Sequence, residues 1–126
     1  MRIFNTISIL SYAYPIYKYQ SYRASIILLN GILYHALLPG NMTMCAIDIT
    51  INFFISCYTA YYCPKVLLKG LFCIILFLIN DYLFYNNYIG CNLSQILHII
   101  TIHIPFLLML IIHHKEELKI LQNVLH

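Results

Sequence analysis

The sequence contains no tryptophan, only four glycines, four prolines and four acidic residues, and 9% charged residues in 126 positions. Soluble domains carry roughly a quarter of their residues charged. So few charges exclude a globule with an ordinary water-facing surface. No run of Lys or Arg occurs, which removes the electrostatic footprint of a nucleic-acid binder. Proline-rich, Gly/Ser-rich and collagen-like tracts are missing, and so is any internal repeat. The five cysteines, Cys45, Cys57, Cys63, Cys73 and Cys91, form no CxxC pair. They read as small apolar filler, with one cross-link open, between Cys45 and Cys91.

What the chain does have is apolar surface, at 62% hydrophobic residues. A water-soluble fold of this length would leave much of it exposed, so lipid is the expected solvent. The expectation is an all-α integral membrane helical bundle of four or five transmembrane helices, one transmembrane helical domain over residues 1–126. The runs are Ile3 to Tyr17, Tyr22 to Leu38, Met44 to Cys63, Val66 to Tyr85, and Ser94 to His114. Pro39-Gly40 and Pro64 are helix stops. The first run is short for a span of about 20 residues. The tail KEELKILQNVLH reads as an interfacial helix or as an extension of the last run.

Basic residues set the expected orientation. Lys18, Arg23, Lys65, Lys69, Lys115 and Lys119 fall on one side, whether or not the first run spans. That side, with the C-terminus, is expected in the cytoplasm. The loops 39–43 and 86–93 hold no Lys or Arg and are expected on the exoplasmic or lumenal side. Two glycosylation sequons, at Asn41 and Asn92, fall in or beside those loops. A cleaved signal peptide ending near Ser11-Tyr12-Ala13 would reverse this arrangement, so it is disfavoured.

The ionisable residues inside the apolar runs are His35, Asp48, Asp81, His98 and His103. At 1.5 Å rise per residue, His35 lies roughly 5 Å from the outer end of its run, and Asp48, Asp81 and His98 lie roughly 6 Å in. His103 is nearer mid-span. Such groups are costly in lipid and usually face a bundle interior. Asp48, Asn52, Ser56 and Thr59 form one helical stripe, and Gln95 and His98 share a face. A lone membrane histidine is most simply an interhelical hydrogen-bonding residue. Several histidines in one layer beside a carboxylate suit an open zinc site of three protein ligands and a water. The expected ligands are His35, His98 and His103, with Asp48 as catalytic orienter or base. Asp81 beside Asn80 is left out as an interfacial residue. His113, His114 and His126 read as boundary or tail residues.

The order of these residues resembles the alkaline ceramidase and adiponectin/progestin receptor superfamily. Asn30-Gly31-Ile32-Leu33-Tyr34-His35 is similar to its small-residue and Tyr/Phe-His segment. Asp48 is similar to its aspartate, and His98 and His103 to its last-helix pair. The resemblance covers residues 30–52 and 94–105. It implies a reduced member of a seven-helix family of zinc-dependent lipid amidohydrolases. Three departures stand out. Gly31 occupies the position of the family serine, His98 and His103 are five apart where the family has HxxxH, and two helices are missing.

Two functions of different class therefore stand open. One is a zinc-dependent intramembrane hydrolase of a lipid amide or ester, with substrate entering from the membrane. The other is a small non-enzymatic membrane interaction protein or pore, with homo-oligomers allowed. Proton-linked transport is a third option. Membrane lipid is the expected partner, and nucleic acid is not.

Overall fold

Stop and start signals fall where the chain reverses. In the computed structural model, which describes residues 3–125, all regular structure is helical. Arg2 and His126 lie outside the described residues. The helices are α1 (Ile3–Ile9), α2 (Ala13–Tyr19), α3 (Tyr22–Ile32), α4 (Met42–Tyr62), α5 (Leu67–Tyr85), α6 (Cys91–His98) and α7 (Ile104–Leu125). A tight 3-10 turn, Leu10–Tyr12, joins α1 to α2. π-helical turns extend α3 over Leu33–Leu37 and join α6 to α7 over Ile99–His103. The result is five rods.

Local chemistry explains each reversal. Gln20 ends α2 in the left-handed region at φ 51°, and Ser21 then caps α3 by accepting from the Ala24 N–H at 3.2 Å. Gly40, at φ 85°, makes the turn before α4. Asn41 caps α4 by accepting from the Met44 N–H at 3.0 Å. Each cap of this kind contributes about 1 kcal/mol. Pro64 closes the third rod, and Asn87, at φ 59°, turns the chain out of the fourth.

Three helical stretches, Met42–Tyr62, Pro64–Tyr85 and Cys91–Leu125, are long and apolar enough to cross a membrane. They make this a helical membrane protein. The last is one continuous rod of 35 residues, about 52 Å at 1.5 Å per residue. The C-terminal segment therefore extends the last run.

The interior is inverted relative to a soluble domain. Among the described residues, eleven buried side chains are polar or charged and ten, Pro15 included, are apolar. Meanwhile most of the large apolar side chains of α4 and α5 face outward. Lipid solvates the apolar surface, and the bundle hides the polar groups. The buried apolar cluster is Ile9, Tyr12, Ala24, Ile27 and Leu110, from the first, second and fifth rods. Phe106 links it to a second cluster of Cys63, Val66 and Met109. The fifth rod is thus the centre on which the others lean. All five cysteines are free. The Cys45–Cys91 cross-link is not formed, and Cys91 Sγ instead accepts from Gln95 Nε2 at 3.2 Å.

One close approach sets the position of the first rod. A Cβ on Gly31 would lie 2.6 Å from Ile9 Cδ1 and 2.8 Å from Cγ1. A side chain there, serine included, would have to move Ile9 aside. Gly31→Val is expected to destabilise the bundle by about 1–3 kcal/mol through overpacking. Ile9→Ala in the same chain should recover part of the loss. Thermal unfolding of the four members of this cycle in detergent checks the coupling.

Candidate metal centre

His35 and His103 each sit inside a π-helical turn, and His98 sits at the threshold of one. The turns close through five-residue bonds, from the Leu38 N–H to the Leu33 carbonyl at 2.8 Å and from the Ile104 N–H to the Ile99 carbonyl. On an unbroken α-helix, residues five apart diverge by about 140°. A π-turn absorbs one extra residue per turn, which returns His103 to the face of His98. Its cause is local. Pro105 has no N–H to give the Thr101 carbonyl. Thr101 Oγ1 also donates to the Leu97 carbonyl at 2.7 Å, a bond that loosens the helical ladder.

The three histidines meet. Ring centroids are 6.0 Å apart for His35 and His98, 5.6 Å for His35 and His103, and 4.8 Å for His98 and His103. One ring nitrogen from each lies within 4.8 Å of the others. His35 is 1% exposed and His103 5%. Two nitrogens each about 2.0–2.1 Å from one zinc ion lie at most about 4.2 Å apart. Small side-chain rotations therefore suffice to close the trio on an ion. Phe77 packs edge-on against His98, with centroids 5.5 Å apart.

Asp48 is not among the residues whose ligand atoms converge. Its Oδ1 accepts from Asn30 Nδ2 at 2.7 Å and from Asn52 Nδ2 at 3.2 Å. Asn30 and His35 share the second rod, so the carboxylate is tied to the rod that carries a histidine. The polar stripe continues inward, with Ser56 Oγ donating to the Asn52 carbonyl and Thr59 Oγ1 to the Ile55 carbonyl, each at 2.7 Å. Asp81 is half-buried, and its neighbour Asn80 is buried and donates to the Ser94 carbonyl at 3.2 Å.

Two groups of residues were not anticipated as site members. Ser8 Oγ is hydrogen-bonded to His103 Nδ1, and the Tyr12 hydroxyl donates to the His103 carbonyl at 3.1 Å. The signal was present: Asn5, Ser8 and Tyr12 follow i, i+3, i+7, one helical face. The shortness of the run obscured it.

The second group is at the opposite, basic end. His113 and His114 are 2% and 7% exposed, and not loose boundary residues. Arg23 is 4% exposed and reaches both oxygens of Glu117 at 3.2 Å and His113 Nδ1 at 3.1 Å. His114 Nδ1 lies 3.0 Å from Glu117 Oε2, its Nε2 lies 2.8 Å from Ser21 Oγ, and its ring stacks on Tyr19 at 5.2 Å. His113, His114 and Glu117 have metal-ligand spacing. However, the guanidinium already lies among their ligand atoms, and two cations so close repel strongly in a low dielectric. This cluster is a polar clamp holding the first two rods to α7.

No family model matches the chain, and neither does any curated protein or solved structure.

Arg23→Met leaves Glu117 without its cation. It is expected to lower stability by about 1–3 kcal/mol, the range for charge-assisted hydrogen bonds. The half-exposed position of Glu117 limits the loss. Thermal unfolding in detergent measures it. Metal content, assayed on the same samples, should stay unchanged.

Proposed function

We propose that this protein is a zinc-dependent hydrolase acting on an amide or ester of a membrane lipid. The observation that carries the proposal is the convergence of His35, His98 and His103, from two separate rods, with His35 and His103 buried and His98 half-buried. Nothing in packing requires three imidazoles at one point in a membrane protein. Neutral imidazoles are good zinc ligands, and three of them leave one coordination position open. When bound, zinc lowers the pKa of a water to about 7 and polarises a carbonyl.

The chain's own groups supply the rest. The amides of Asn30 and Asn52 both donate to Oδ1 of Asp48. They hold the carboxylate in one orientation, with Oδ2 as the oxygen that takes a proton. The trio sits near the end of the bundle that holds the 39–43 and 86–93 loops. On this reading all five rods cross the membrane, with the basic end and C-terminus cytoplasmic and the site toward the exoplasmic or lumenal face. Substrate then enters sideways from that leaflet, since those loops are too short to form a lid. The five-residue spacing of His98 and His103 is compatible with the superfamily resemblance because the π-turn absorbs the additional residue.

The test is metal analysis of purified full-length protein. One zinc per chain is expected, with loss in His35→Ala. A wild-type chain without stoichiometric zinc overturns the reading and leaves a non-enzymatic membrane interaction protein. Asp48→Asn should retain zinc and lose about 10²- to 10⁴-fold of lipid amide or ester hydrolysis, the usual worth of a general base. Deleting Ile100 would turn the spacing into four residues and restore an ordinary α-helix. Because i and i+4 share a face, that variant should keep its zinc, whereas inserting an alanine at the same point should abolish binding.

A further inference from the structure

Two hydroxyls of the first rod bond to His103, and one of them, Ser8 Oγ, meets its imidazole. Ser8 Oγ donates to the Asn5 carbonyl at 2.9 Å and also contacts His103 Nδ1. A serine hydroxyl has one proton to give. With that proton on the Asn5 carbonyl, Ser8 can only accept from the imidazole. Nδ1 must then carry the hydrogen. The two ring nitrogens point to different sides, so the lone pair left for the trio is on Nε2. The Tyr12 hydroxyl, bonded to the His103 carbonyl, fixes the same residue from its backbone side. Tyr12 is 1% exposed and Asn5 2%, and Ser8 between them is half-buried.

We propose that Ser8 is a positioning residue that locks His103 in the Nδ1–H tautomer and thereby presents Nε2 to a metal ion. This inference rests on the zinc reading of the trio. It gives the first rod a role in the site that its short apolar run does not suggest. The packing makes the role possible. Ile9, the next residue, fills the space over Gly31, and that seating turns Ser8 toward the fifth rod. Partners of metal-ligating histidines of this kind are typically worth about 10–100-fold in metal affinity.

The experiment uses the full chain in detergent, labelled with 15N-histidine, with the His103 signals assigned by difference against His103→Gln. In the metal-free wild type, His103 should show a protonated Nδ1 and an unprotonated Nε2. Ser8→Ala should give a tautomer mixture and bind zinc about 10–100-fold more weakly. Ser8→Thr, which keeps the hydroxyl, should restore both. Tyr12→Phe should leave the tautomer unchanged, because it removes only the bond to the backbone carbonyl. A merely structural Ser8 would move the thermal midpoint without moving the nitrogen shifts. An unchanged tautomer in Ser8→Ala overturns the proposal. A wild type that binds no zinc overturns the zinc reading instead, and the metal-free tautomer measurement still decides the part played by Ser8.

Discussion

A polar side chain in hydrocarbon has no water to turn to, and the interior of this bundle is arranged around that constraint. Histidines, asparagines, an arginine and a glutamine all lie inside it. Each costs free energy unless another segment supplies a partner. Asn30 meets Asp48, Ser8 meets His103, and Arg23 meets Glu117. The apolar residues, by contrast, are satisfied on the outside by lipid. Interhelical polar contacts therefore define the arrangement of the rods more than apolar burial does.

These contacts gather at two places along the fifth rod. His103 and His113 are ten residues apart, about 15 Å on a helix. The outer place, at the end of the 39–43 and 86–93 loops, collects the imidazoles of His35, His98 and His103. The inner place collects two imidazoles and a carboxylate around a guanidinium. The difference in chemistry follows from that one group. Where the chain supplies its own cation, the cluster is closed by an internal ion pair. Both places involve the first two rods, so the N-terminal segment ties the ends of the bundle together.

Much of the outer place was legible without coordinates. His35, Asp48 and His98 could be assigned a common depth because α-helical rise is constant and the turn residues mark where each run ends. The stripe Asp48, Asn52, Ser56 and Thr59 follows from period 3.6, and it lies on the inward face of α4. His103 was harder. Its spacing from His98 is wrong for an α-helix, and only a local change of helical type brings the two rings to 4.8 Å. Proline at 105 marked the helix as disturbed but did not say in which direction. Two asparagines hold Asp48. Asn30 lies eighteen positions away in the chain, too far for periodicity to register.

Sequence alone determined the helical class, the long apolar runs and the principal turns. Those properties depend on composition, local propensity and a fixed rise per residue, each readable one segment at a time. The tertiary structure decided which side chains touch: Ile9 over Gly31, Ser8 on His103, Arg23 between His113 and Glu117. Such pairings depend on how one rod is rotated against another. That rotation is set by the sum of many weak contacts and no local pattern encodes it, so only the assembled bundle reveals it.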